Sequence, residues 1–308
     1  MKNVLVHLPL PHFNSDQLVR SLISNKVVYE KIGLSTPDPI IYREKFTRLY
    51  DGWRISNNKC ESISEIRNIF ENISTDIFIS LPKIPSRPEH IVDACGLLPN
   101  LEISIDMLKN IFNKHRINIL IGIVNPSSLI GALVQTKVIS DDAPTSTFAT
   151  SQNYWYDSIG GCADENPDIS FIAWRHEDAH IIWPTILRLV GSVPNKIPAP
   201  GCLDMLANYI DRNRVKSLEV AIKSSWPQSD AFIQKMIKEC ISFDTGCNSV
   251  GRKIKVNGWT SQIFDKFEEV YAEDCRLLAG DDSIAFIQPE TEIKCQHAQI
   301  HRSTLKYS

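Results

Sequence analysis

Arg175, His176, Glu177, Asp178 and His180 place five ionisable side chains in six positions, directly after one apolar run and directly before another. Two chemistries use such a set. The string HEDAH fits the zinc-hydrolase pattern H-E-x-x-H, in which both histidines hold the metal from one helical face and the glutamate activates its water. Glu219 is a downstream carboxylate that would serve as a third ligand. In the other reading the segment is a strand-to-helix corner. Glu177 or Asp178 then caps the helix by accepting its unpaired N–H groups at the positive end of the dipole. Arg175 and His176 would face the carboxyl edge of a sheet, where α/β proteins bind ligands. The apolar, β-branched run Ile169–Trp174 reads as strand, and Pro184 suits a helix start better than its middle. These features favour the corner.

Three other groups of residues carry candidate chemistry. In the loop from Pro9 to Asp16, His12, Asn14 and Ser15 precede a helix, the arrangement that cradles anions. That loop has two prolines, no glycine and no lysine, and Asp16 opposes an anion. At Asn125-Pro126 a strand turns into a helix whose first residues, Ser127 and Ser128, are placed to meet a phosphate or simply to cap the helix. Cys295, His297 and His301 have metal-like spacing, but without a fourth ligand they read as part of a solvated polar tail, 290–308.

The elements that must position these groups are legible from hydrophobic patterning. Asn3–Leu8, Asp76–Leu81, Ile117–Val124, Ile169–Trp174 and Ile284–Gln288 are short, nearly continuous apolar runs, as expected of strands covered on both faces. Helical spacing predicts Ser15–Ser24, Ile103–Asn113, Ser127–Val138, Ala179–Val190, Leu203–Arg212, Ser229–Ile241 and Thr260–Leu278. Asp244–Asn257 reads as a surface loop. Strands alternating with helices imply a three-layer α/β fold with a mainly parallel sheet of about five strands. A helical block at about 203–279 reads as an insertion or subdomain of a single domain spanning 1–308.

Composition narrows the partners. With 33 basic and 36 acidic residues the net charge is −3, which gives no general attraction to nucleic acid or anionic membrane. No apolar run reaches the ~18 residues of a membrane span. The opening MKNVLVHLPLPHF is too short in its apolar part and too proline-rich for a signal peptide. Eight scattered cysteines without a C-x-x-C pair fit reduced thiols in a cytoplasmic protein. A small-molecule or protein partner is the remaining expectation, and nothing indicates an oligomeric state.

Four segments in order resemble a sulfotransferase-type P-loop protein, most closely the divergent sulfotransferase-like proteins of marine α-proteobacteria. VLVHLPLPHFNSDQLVRSL stands where that family has a strand, a K-T-G-T-T phosphosulfate loop and a helix. LIGIVNPSSLIGAL stands where it has strand-Arg-Asn-Pro and a Ser-bearing helix. ISFIAWRHEDAHIIWPTILRLVG is similar to its Trp-x-x-Glu-Asp corner, and GWTSQIFDKFEEVYAEDCRLLAGDDSIAFIQP to its C-terminal helix, Tyr-x-x-Asp stretch and last strand. The resemblance implies phosphoadenosine phosphosulfate (PAPS), or its product phosphoadenosine phosphate (PAP), as the ligand. His12 would be catalytic, with Asn14 and Ser15 on the donor sulfate or diphosphate. Ser127 and Ser128 would lie on the nucleotide phosphate, and Arg175 or His176 beside an acidic group. It also places His12 at the family's lysine, Asn14 at its loop glycine, Val124 at its phosphate-binding arginine and Ala132 at its helix serine. Sulfuryl transfer relies on positive charge where negative charge develops. Loss of two cations therefore points equally to a non-catalytic relative that binds a partner.

Overall fold

The computed structural model describes residues 1–13, 16–55, 60–84, 91–93, 96–139, 154–195, 197–225, 229–242 and 259–289. Eight strands lie among them: β1 (Asn3–His7), β2 (Leu34–Ser35), β3 (Asp76–Ser80), β4 (Val92–Asp93), β5 (Gly96–Leu97), β6 (Arg116–Ile123), β7 (Ser170–Arg175) and β8 (Ile284–Ile287). All five expected strands form, and six strands make one parallel sheet in the order β2-β3-β1-β6-β7-β8. The sixth member, β2, is only two residues long, too short for an apolar run to announce it. β4 and β5 form a separate antiparallel pair.

The described residues also form eleven helices: α1 (Gln17–Ser24), α2 (Lys26–Lys31), α3 (Pro39–Ile55), α4 (Cys60–Phe70), α5 (Leu101–Ile111), α6 (Pro126–Gln135), α7 (Trp155–Glu165), α8 (Ala179–Gly191), α9 (Arg212–Ser225), α10 (Asp230–Ser242) and α11 (Ser261–Gly280). Alternation along the strands divides the core in two. Val4 and Val6 of β1 pack with Phe46, Leu108, Leu129 and Tyr271 on one face, which carries α3 to α7 and α11. Leu5 faces the other way, toward Leu18, Tyr29, Ile186 and Val190 of α1, α2 and α8. Successive strand residues point to opposite faces, so strands buried on both sides must be apolar at nearly every position.

Several differences from the sequence reading have local causes. Leu203–Arg212 is not a helix. It contains a 3-10 turn at Leu206–Asn208, and α9 starts after Asp211, whose carboxylate accepts the Asn213 N–H at 2.7 Å. That side chain takes an N–H that a continuous helix would need. α3 lies outside the expected helices, although Asp38 Oδ1 accepts the Ile40 N–H at 2.9 Å and Pro39 occupies the first turn, both helix-start signals. α8 matches the expected Ala179–Val190 to within one residue and carries Pro184 inside it, in its second turn.

The helical stretch 203–279 divides. α11 buries Phe267, Val270 and Leu278 in the sheet's own core, whereas α9 and α10 form a separate cluster with Leu203, Leu206 and Ile181. Arg188 of α8 joins that cluster to the sheet by a forked pair with Asp230, at 2.8 and 2.9 Å. Asp244–Asn257 and the tail 290–308 lie outside the described residues.

Candidate functional site

The chain leaves β1 toward β2 on one side and leaves β6 toward β7 on the other, so the strand order reverses between β1 and β6. In parallel sheets ligands bind outside the carboxyl ends at such a point. Here the crevice is lined by His7, Leu10, Phe13, Trp174, His176 and Trp183, and only about 20 Å³ remains between them. That is room for about one water. Gly122 lets the Trp174 indole lie across the gap, since a Cβ there would come within 3.0 Å of its Nε1.

The two histidines in the crevice carry no positive charge at neutral pH. His7 is buried, with Nδ1 3.2 Å from Ser80 Oγ and its ring stacked between Phe78 and Trp174. Burial, reinforced by Arg43, pushes its pKa down to about 3. His176 meets the edge of Phe13 at 5.7 Å, and burial followed by repulsion from His180 lowers it to about 4. The neighbouring cations are engaged. Arg43 pairs with Asp16 at 2.7 Å and donates to the Ser80 carbonyl at 2.9 Å. Arg175 lies 5.5 Å from the Tyr271 ring centroid, with Asp178 at 3.7 Å.

The α6 N-terminus is held by the protein's own carboxylates. Asn125 caps it, its Oδ1 accepting from Ser127 N at 2.9 Å and Ser127 Oγ at 2.7 Å. The Asn125 N–H donates to Glu177 Oε1 at 2.7 Å, and its side-chain amide donates to Glu268 at 2.8 Å. Tyr271 donates its hydroxyl to Glu177 Oε2, also at 2.7 Å. One turn further along α11, the fully buried Asp274 accepts the N–H groups of Tyr154, Trp155 and Tyr156 at 3.0–3.2 Å, at the start of α7. Burial raises the Asp274 pKa, and the three N–H donors oppose that rise. Trp155 closes the corner by donating Nε1 to the Val124 carbonyl at 2.8 Å.

The expected site residues therefore separate. His12 is exposed at a left-handed φ of 69°, and its Nε2 lies 3.5 Å from Thr136 Oγ1 at the far end of α6. It does not line the crevice. Asn14 and Ser15 lie outside the described residues. The Ser127 hydroxyl is used in capping, while Ser128 stays partly exposed with its N–H on the Asn125 carbonyl at 2.9 Å. Glu177 and Asp178 do not cap α8 through their side chains. A 3-10 turn, His176–Asp178, rotates Glu177 toward β6 and leaves Asp178 beside Arg175.

The zinc geometry is not assembled. His176 packs on Phe13, His180 on Tyr209 at 4.8 Å, and Glu177 is bonded at both oxygens. Glu219 pairs with Lys223 on the exposed side of α9. No group of three potential metal ligands occurs among the described residues. Cys295, His297 and His301 lie outside them. Cys162, Cys202, Cys240 and Cys275 are free thiols, and no described helix is long and apolar enough to cross a membrane.

The sequence reading missed His7, Trp183 and Glu268 altogether. Strand alternation was the available signal for His7, which shares the Leu5 face of β1. Tyr271 and Asp274 were visible only as a Tyr-x-x-Asp string, without a task. No protein-family model matches the chain, and no curated protein or solved structure matches it either.

Proposed function

We propose that this chain is a non-catalytic protein on a sulfotransferase-like P-loop fold, serving as a binding or interaction module rather than as a transferase. The observation that carries this reading is the crevice between β1 and β6, where about 20 Å³ remains beside Phe13, Trp174 and Trp183. A nucleotide with its phosphates needs a cradle many times larger. Neutral His7 and His176 offer a donor sulfate no positive charge, and Arg43 is already paired with Asp16. The α6 N-terminus, where Ser127 and Ser128 would meet the nucleotide phosphate, has Glu177 and Glu268 bonded to its capping residue. An incoming phosphate would meet two carboxylates there, and charge development in sulfuryl transfer would go unstabilised.

Thermal unfolding in the presence of PAP and of PAPS tests the reading. A ligand that binds only the folded state adds about 2.7 kcal/mol at a hundredfold excess over Kd. Neither nucleotide should shift Tm at millimolar concentration. A saturable, concentration-dependent rise would overturn the proposal and restore the transferase reading.

A further inference from the structure

Beside the sheet's other end lies a groove of about 520 Å³ between α4, the end of α5 and the first residues of the chain. That volume lies within the ~300–1,000 Å³ of small-molecule sites. Its floor is aromatic and aliphatic. Phe70 and Phe112 meet at 5.5 Å between ring centroids, and Ile111 lies beside them. Its rim carries Lys2, Arg67 and Lys114 against the single carboxylate of Glu71.

Two details show how an anion would be tolerated beside the negative end of α5. Arg67 donates Nε to the Ile111 carbonyl at 3.1 Å and Nη2 to the Asn110 carbonyl at 2.5 Å, which neutralises that helix end. Lys2 is fixed by the Ile73 carbonyl, while Lys114 is exposed and makes no ion pair among the described residues. His115 also lines the groove, and its Nδ1 is buried without a hydrogen-bond partner. Burial and the nearby Lys2 lower the His115 pKa, which disfavours the charged ring.

We propose that this amino-edge groove binds a small aromatic anion, with its ring on Phe70 and Phe112 and its acid group toward Lys114 and Lys2. The inference does not depend on how the crevice at the opposite edge is read. Calorimetric titration of the full chain with 1-naphthoate, and with 1-naphthylmethylamine as the same ring bearing a cation, tests it. The naphthoate should bind saturably at one site per chain, more tightly than the amine and more weakly as salt rises. Lys114→Glu should reduce its affinity about tenfold. Asn68→Trp, an exposed α4 position on the groove wall, should block it with the fold intact by circular dichroism. No saturable binding at millimolar ligand, equal binding of the amine, or affinity unchanged in both variants would each overturn the proposal.

Discussion

Where the strand order reverses on the carboxyl edge about 20 Å³ remains between β1, β6 and β7, whereas about 520 Å³ lies open at the amino edge beside α4 and α5, and about 530 Å³ beside α3 and the residues after β3. Topology favours the first location for a ligand. Side chains decided otherwise. At the carboxyl edge, aromatic rings occupy the volume, and Glu177 and Asp274 occupy backbone N–H groups that a bound anion would otherwise satisfy. At the amino edge, Phe70 and Phe112, themselves only 3% and 2% exposed, floor an open groove, and the cations on its rim outnumber the acids. A parallel sheet thus specifies where a site is easiest to build, and the residues at the strand ends determine whether the position is kept for a ligand or absorbed into the core.

If the carboxyl edge is structural, substitutions there should be paid in stability. Asp274→Ala should produce the largest loss, about 3–5 kcal/mol in urea unfolding, because two buried N–H groups and one part-buried one lose their acceptor. Asp274→Asn, which retains an acceptor oxygen, should lose less. A loss below about 1 kcal/mol for the alanine variant would break the contrast between the two edges. Glu177→Ala should follow at about 2–3 kcal/mol, leaving the Asn125 N–H unpaired and the Tyr271 hydroxyl with only its long 3.5 Å bond to the Ile123 carbonyl. A double-mutant cycle with Tyr271→Phe should give a coupling above about 0.5 kcal/mol, and additive losses would mean the bond does not hold the corner.

Acid should expose the crevice next. His7 and His176 have folded pKa values near 3 and 4, below the ordinary 6.5, so the unfolded chain takes up protons that the folded one refuses. Their contribution to stability is complete above pH 6.5 and falls as pH drops toward the folded values. Each should give a slope of about 1.4 kcal/mol per pH unit within that window. Asp178 and Asp274, whose values burial raises, work in the opposite sense. Comparison with His176→Gln cancels their effect, and the variant should show the smaller slope between pH 6.5 and 5.5. Equal slopes would mean that His176 is not shielded by Phe13. The smallest effect belongs to the amino edge, where Lys114→Gln should change stability by no more than about 0.5 kcal/mol. A larger loss would show that the groove rim is structural too.

Much of this architecture was legible before any coordinates. The five apolar runs became strands, and Ala179–Val190, Ser229–Ile241 and Thr260–Leu278 became helices within two residues of their expected ends. Asn125-Pro126 announced a strand turning into a helix, but the cap is Asn125 rather than the expected Ser127 or Ser128, because the helix starts one residue earlier, at Pro126. Asp38-Pro39 and Asp211 carried equally local start signals for α3 and α9 that went unused. The site was less legible. His12 stood at the expected loop position but faces Thr136, and Glu177 stood at a helix start but bonds to another strand's corner.

The sequence by itself determined the layers, because burial of a strand on two faces or a helix on one leaves a periodic pattern in consecutive residues. It also determined that the first loop lacks the lysine and glycine of a phosphate cradle. Only the tertiary structure decided what fills the carboxyl edge. Tyr271 reaches Glu177 across 94 residues, Asp274 reaches Tyr154 across 120, and the Phe13 ring meets His176 only once β1 and β7 share a sheet. Such pairings leave no periodic trace, since their free energy comes from desolvation and hydrogen bonding between segments that only the finished sheet brings together.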